Sequence, residues 1–413
     1  MNKKRKFLNV MLSLTLALML CFGLMTPALA DEVSVEAALT KILQMPEGTD
    51  TPNYTFTFEV TKVSVDGETG TMPDLNSAGL TANVSGLSGA TTGGIKTITV
   101  EAANLFAGVT WPHAGVYVYS ITEAKPETPE LGLEGVDYSP AVYTLTVYVK
   151  NTAAMNGPYV FSATVEVVTP DTVGQETDEN DKVDPTPSEE GTGTGFVFTN
   201  TYIKEGGGTD PEEPDDRTLS ISKTVVGAYG NLDKYFEFDV TIIASALKPG
   251  TTYIGYVIDD GDNIVTSTEN GAKIGENYIS FLSGESVKVY LKHGQSLVFI
   301  DTEVGAKYSV TESGMTNYKP SVAVLQGAVE TVTPGSDEGV SLTALGKAGE
   351  SNILIGAEEN SAEFTNTHDD TTVTPTGILI NNLPYIAILL LAVGALVVFV
   401  VVKSRKAKAY AGK

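Results

Sequence analysis

Three residue types recur in the same order in each half of this chain, and together they could make a covalent bond. Lys41 and Lys223 each open a β-rich stretch, in Ala38-Leu39-Thr40-Lys41 and Ser220-Ile221-Ser222-Lys223. Two alternating phenylalanines follow each lysine, Phe56 and Phe58 in one half, Phe236 and Phe238 in the other. A tyrosine-bearing segment then ends in Thr-Glu, at Tyr119-Ser120-Ile121-Thr122-Glu123 and at Tyr308-Ser309-Val310-Thr311-Glu312. Each half closes on the same tetrapeptide, Phe198-Thr199-Asn200-Thr201 and Phe364-Thr365-Asn366-Thr367.

The chemistry follows from burial. A free lysine titrates near ~10.4 and is an ammonium at neutral pH, hence no nucleophile. Among aromatic side chains the ammonium is destabilised and its pKa falls, while the same surroundings raise that of a glutamate. Amine and acid can then both be neutral. The acid is expected to hydrogen-bond the Asn carboxamide oxygen and make its carbon electrophilic. Attack by the amine, proton transfer through the glutamate and loss of ammonia leave a Lys–Asn isopeptide bond. The candidate pairs are Lys41–Asn200, served by Glu123, and Lys223–Asn366, served by Glu312. Taken singly, these residues read as edge-strand lysines, solvated strand ends and turn formers. Ordered recurrence in both halves reverses that preference.

Such a bond requires the first and last strands of a domain to lie side by side. Residues 31–376 carry strand signals and almost no helical periodicity. Residues 141–150 alternate, with Tyr143, Leu145, Val147 and Val149 on one face, and residues 55–60, 95–100, 116–121, 159–167 and 287–291 read similarly. Short β-branched and aromatic runs broken by Gly, Pro, Asn and Asp predict an all-β chain of antiparallel sandwiches. Residues 204–216 contain no core-forming residue and read as a linker between domains at 31–203 and 217–367. Residues 169–195, acidic and rich in Gly, Thr and Pro, read as a long loop in the first domain.

Composition narrows the function further. The chain has 413 residues, with 26 basic and 51 acidic side chains. Residues 1–30 hold four basic and no acidic groups, residues 378–413 five and none, so the middle carries 17 against 51, a formal −34. Nucleic acid is excluded as a partner, because phosphate binding depends on Lys and Arg. The one cysteine, Cys21, rules out disulfides, iron–sulfur clusters and cysteine zinc sites. Three scattered histidines argue against a metal site, and no cofactor is expected. A surface hydrolase would need only paired carboxylates, but the Gly-x-Ser-x-Gly and His-Glu-x-x-His patterns and a phosphate-cradling glycine loop are all missing.

The two ends give an address. Lys3, Lys4, Arg5 and Lys6 precede an apolar run, and Pro27-Ala28-Leu29-Ala30 supplies small residues for cleavage after Ala30, so 1–30 reads as a secretory signal peptide. Residues 385–402 form 18 uncharged positions inside an apolar segment, 378–402, just long enough to cross a bilayer. The basic tail 403–413 should stay in the cytoplasm. Upstream, in the stalk 368–377, sits Val373-Thr374-Pro375-Thr376-Gly377. A Pro-Thr-Gly, an apolar span and a basic tail, in that order, resemble a Gram-positive sortase sorting signal. The closest pattern is the pilin variant with Val-Pro-Thr-Gly, from which Thr374 departs in the place of Val. A plain single-pass anchor is the alternative.

The internal motifs resemble one family. Gly115-Val116-Tyr117-Val118-Tyr119-Ser120-Ile121-Thr122-Glu123, Gly135-Val136-Asp137-Tyr138 and Tyr143-Thr144-Leu145-Thr146-Val147 are similar to segments of the Gram-positive, streptococcal-type major pilins with isopeptide-linkage domains. Leu291-Lys292-His293-Gly294-Gln295-Ser296 and the run to Glu312 match similarly. The resemblance implies two tandem immunoglobulin-like (CnaB-like) sandwiches and the two triads named above. It also implies a secreted, cell-wall-anchored shaft subunit, passing through a membrane-inserted precursor. Sortase would join the Thr376 carbonyl to a lysine of the next subunit or to peptidoglycan. The acceptor in this family lies late in the first domain, which singles out Lys182, with Lys204 and Lys150 remaining open. A wall-anchored adhesin or stalk that never polymerises would use the same domains, and no host ligand can be read from the sequence.

Overall fold

Alternation in the sequence becomes alternation of burial in the computed structural model. Along Val142–Asn151, Tyr143, Leu145, Val147 and Val149 are buried while Tyr148 and Lys150 are exposed. The structure describes residues 35–127, 132–152, 157–171, 178–188, 193–204, 206–335 and 337–368. The signal segment 1–30, the sorting motif 373–377, the apolar segment 378–402 and the tail 403–413 lie outside the described residues.

The first sandwich opens with β1 (Thr40–Pro46), β2 (Thr55–Val65), β3 (Thr81–Asn83), β4 (Ala90–Thr92), β5 (Ile95–Glu101) and β6 (Gly115–Glu123). It continues with β7 (Val136–Asp137), β8 (Val142–Asn151), β9 (Pro158–Thr169), β10 (Lys182–Val183) and β11 (Val197–Tyr202). One sheet runs β4-β5-β1-β11-β7 and the other β10-β9-β8-β6-β2-β3. The second sandwich opens with β12 (Leu219–Val226), β13 (Phe236–Ile243), β14 (Thr252–Ile258), β15 (Ile279–Leu282), β16 (Ser286–Leu291) and β17 (Gln295–Phe299). It closes with β18 (Lys307–Glu312), β19 (Lys319–Gln326), β20 (Val329–Pro334), β21 (Leu342–Thr343), β22 (Ile353–Leu354) and β23 (Asn360–Thr367). Its sheets run β15-β14-β17-β12-β23-β19-β20 and β16-β13-β18-β21, with β22 also on β18. Among the described residues helix is limited to single 3-10 turns, such as Ser77–Leu80 capped by Asn76, and no helix is long and apolar enough to cross a membrane.

Among the described residues, neighbouring strands pair antiparallel with one exception per domain. The first strand of each sandwich lies parallel to the last, β1 on β11 and β12 on β23. Parallel partners cannot be joined by a hairpin. Here the whole domain is the connection, and both chain ends come to the middle of one sheet.

Two expectations about irregular segments are revised. The stretch 169–195 is not one loop: Lys182 and Val183 pair antiparallel with Glu166 and Val165, because Val183 has an apolar row to join. The segment 204–216 has no core of its own, yet it is held against the second sandwich. Gly208 N–H donates to Asp216 O at 3.0 Å, and the Asp216 carboxylate accepts from Thr209 N and Asp210 N at 2.9 Å each. Arg217 Nη2 lies 2.8 Å from Asp262 Oδ1, and Ile264 N donates to Glu212 Oε1 at 3.0 Å. Acidic residues that cannot build a core still tie a chain down by accepting backbone N–H bonds.

Candidate isopeptide sites

The strand registers place the chemistry. Lys41 stands opposite Phe198 and Leu43 opposite Asn200, so lysine and asparagine are diagonal neighbours on the inward row of β1 and β11. The second domain repeats this offset, with Lys223 opposite Phe364 and Val225 opposite Asn366. The glutamates come from the facing sheets, where Glu123 is registered against Phe58 and Glu312 against Phe238. Each phenylalanine pair therefore flanks the triad instead of merely filling the core. Lys41 Nζ lies 4.6 Å from the Phe56 ring centroid, and Lys223 Nζ lies 4.3 Å from that of Phe236.

All six groups are shut off from water. Lys41 and Asn200 are 0% exposed, Glu123 5%, Lys223 and Glu312 1%, and Asn366 2%. In the first domain the triad separates two apolar clusters, one with Phe58 and Phe198, the other with Leu43 and Phe56. Lys41 Nζ is ion-paired with Glu123 Oε1 at 2.7 Å. The same oxygen accepts from Asn200 Nδ2 at 3.0 Å. In the second domain Glu312 Oε1 accepts from Lys223 Nζ at 2.8 Å and from Asn366 Nδ2 at 2.6 Å. One carboxylate oxygen thus gathers amine and amide at both sites.

The carboxamide faces the acid with its nitrogen, not with its oxygen as the sequence reading expected. An ionised carboxylate only accepts, so it takes the NH2 group; it can donate to a carboxamide oxygen only once protonated. With the nitrogen held this way, a protonated glutamate would hand its proton to the departing ammonia.

Burial governs the proton affinities. Desolvation pulls the Lys41 amine down to about 8, against the upward pull of Glu123 and Asp171, and takes Lys223 down to about 8 against Glu312. The same desolvation raises Glu123 and Glu312 in spite of their lysine neighbours. Both shifts favour the neutral amine and the neutral acid.

Other sequence-chosen residues are placed apart. Lys182 is exposed on β10, at the edge of the six-stranded sheet. Lys150 and Lys204 are exposed as well, Lys150 with its Nζ 3.1 Å from the Phe161 ring centroid. Two residues at the first site escaped the sequence reading. Ser139 N–H donates to Glu123 Oε2 at 3.0 Å and to Asn200 Oδ1 at 2.8 Å, and Asp171 Oδ2 accepts from Ser139 Oγ at 3.0 Å and from Thr199 N at 2.5 Å. Nothing in the sequence distinguishes Asp171 from the many acids around it.

Residues 37–203 match the Spy0128-like isopeptide containing domain. Residues 217–368 match a domain family of unknown function. A curated relative, a pilin of Streptococcus pyogenes serotype M1, is 26% identical over 356 residues, covering 84% of this chain and 85% of its own. The crystal structure of the major pilin from S. pyogenes shares 20% identity, covering 82% of this chain and 99% of that one, with a TM-score of 0.33. A second S. pyogenes major pilin, T-13, shares 19% over 82% of this chain and 100% of its own, with a TM-score of 0.29. The curated relative is a pilin and the first domain matches an isopeptide domain family, in line with the resemblance drawn from the motifs.

The lowered lysine pKa makes stability pH-dependent wherever the bond is absent. Asn200→Ala removes the electrophile and leaves Lys41 buried. Its pKa is about 8 folded and 10.5 as a free side chain, so between these values the unfolded chain binds a proton that the fold does not. Stability must then rise with pH across that window, by at most about 3 kcal/mol. Denaturant titrations at pH 8 and 10 on Asn200→Ala, referenced to Lys41→Met/Asn200→Ala, should show this gain. A gain no larger than that of the double variant would mean that Lys41 carries no burial penalty.

Proposed function

We propose that the protein is a structural cell-surface subunit, the shaft pilin of a sortase-assembled pilus, stiffened by two self-made Lys–Asn isopeptide bonds. The observation that carries this reading is the repeated triad: two sandwiches with separate cores hold Lys, Glu and Asn in the same register, buried and sharing one carboxylate oxygen. The pilin relative and the match to an isopeptide domain family support it. Each bond forms once, so the chemistry is a single turnover and the protein is not an enzyme in the ordinary sense. Sortase would cleave between Thr376 and Gly377 and join Thr376 to Lys182 of the next subunit, or to peptidoglycan at the base, after a membrane-inserted stage. The domains are taken as 31–203 and 217–367, joined by 204–216.

The bonds close long loops, 200 − 41 = 159 and 366 − 223 = 143 residues. By analogy with disulfides each closure stabilises its domain by roughly 5 kcal/mol. Under tension the two differ. A load entering at Lys182 passes along β11 into 204–216, crosses the second domain and leaves towards Thr376. No load that enters at Lys182 and leaves towards Thr376 passes through Lys41, so the first bond pins β11 to β1 without lying on the load path. The second bond bypasses everything between Lys223 and Asn366. Lys150 or Lys204 as acceptor leaves this unchanged.

Three measurements test the reading. Intact residues 31–376 should weigh about 34 Da less than their sequence, one ammonia per bond, and Glu123→Ala should regain about half of that. An undiminished mass in folded protein rules the bonds out. Lys182→Arg should abolish the high-mass ladder of boiled wall extracts while leaving monomer attached, and a persistent ladder would assign the joint to another lysine. Pulled between residue 182 and the C-terminus, Glu312→Ala should lengthen by roughly 490 Å at about 3.4 Å per residue, whereas Glu123→Ala should add no comparable step.

A further inference from the structure

The two sites differ in what holds the carboxamide oxygen. At the first, the Ser139 main-chain N–H is shared between Asn200 Oδ1 at 2.8 Å and Glu123 Oε2 at 3.0 Å. Ser139 is buried, and its hydroxyl donates to Asp171, whose carboxylate also accepts the N–H of Thr199, the residue before Asn200. One buried acid therefore fixes donor and electrophile relative to each other. The donor is available because the β7–β11 ladder ends at Asp137 and Thr201, two residues before Ser139. At the second site neither Asn366 Oδ1 nor Glu312 Oε2 has a hydrogen-bond partner among the described residues. There the β19–β23 ladder runs on: Asn366 is registered against Pro320, which has no N–H, and Ser321 is committed opposite Thr365.

We propose that the Ser139 N–H is an oxyanion donor for bond formation at the first site, with Asp171 as its positioning residue, and that the second site reacts without one and therefore more slowly. This rests on the Lys–Asn reading above. In the addition step the lone pair of neutral Lys41 Nζ attacks Asn200 Cγ, and the carbonyl π electrons move onto Oδ1, where the Ser139 N–H meets the developing charge. Nζ gives up a proton to the glutamate, and Nδ2 takes one from it and leaves as ammonia. Amine plus amide become substituted amide plus ammonia, with no other reactant. Loss of one oxyanion donor slows acyl transfer by about 10²–10³; sharing with Glu123 weakens this donor, so a difference of at least about tenfold is expected.

The test uses residues 31–376 recovered unfolded in urea, diluted to refold and quenched in acid at intervals. Peptide mass spectrometry counts each cross-link, and protease resistance follows the folding of each domain. The Lys41–Asn200 bond should outpace Lys223–Asn366 at least about tenfold once both domains are folded. Ser139→Pro should erase that lead and leave the second bond's rate unchanged. Asp171→Ala should slow the first bond, and Asp171→Asn, which keeps an acceptor oxygen, should restore it; this pair decides if Ser139→Pro does not fold. Equal rates in the parent, or parental rates in both Ser139→Pro and Asp171→Ala with a folded first domain, would overturn the proposal. Absence of both cross-links in folded parent is a different result, since it removes the Lys–Asn reading itself.

Discussion

Everything in this molecule is arranged around an amine, an acid and an amide held in a place without water. Isolated ions in such surroundings are penalised by several kcal/mol each. The protein meets the penalty by setting Lys41 and Lys223 against a glutamate oxygen and an aromatic ring, which satisfies them partly and still leaves their proton affinity depressed. A fully satisfied ion pair would keep the lysine charged and inert. A core without polar groups would be dry and well packed, with nothing to react. The triads lie between these limits, and covalent bond formation with loss of ammonia would discharge the strain irreversibly.

The parallel pairing of first and last strands turns local chemistry into architecture. It brings residues far apart in sequence within reach of one side chain, and it does so at the middle of a sheet, where neither strand can move away. The second lysine follows the junction 204–216 closely, and the two sandwiches meet directly there. Val304 N donates to Lys204 O at 3.1 Å, Lys307 Nζ lies 3.3 Å from Glu47 Oε2, and a Cβ on Gly305 would come within 2.3 Å of Pro46 Cβ. Glycine at 305, with φ +92°, allows that approach. A load leaving the first domain thus reaches the second within a few residues of its proposed cross-link.

The likeness of the two triads conceals a difference in the strands around them. In the second domain β19 continues the ladder past Asn366, which adds main-chain hydrogen bonds and carries β20 as the edge strand of that sheet. In the first domain the corresponding segment leaves the ladder early, and a backbone N–H turns inward to the carboxamide instead. One arrangement favours sheet continuity and the other furnishes the reacting group with a donor.

Much of this was legible in the residues alone. Period-two alternation at 141–150 forces a half-buried strand because successive side chains leave opposite faces of the chain. The recurrence of Lys, Phe-x-Phe, Thr-Glu and Phe-Thr-Asn-Thr marked the six triad residues, since residue types that are expensive to bury do not recur in order among apolar neighbours by accident. Tertiary structure alone decided which way the carboxamide faces, because that depends on whether its neighbours donate or accept. It decided that Lys182 stands in a short paired strand, which two residues cannot announce by periodicity. It also brought Ser139 and Asp171 to the first site, across 61 and 29 residues from Asn200. A backbone N–H carries no side-chain signature, and one acid among 51 has none either until the fold removes it from water.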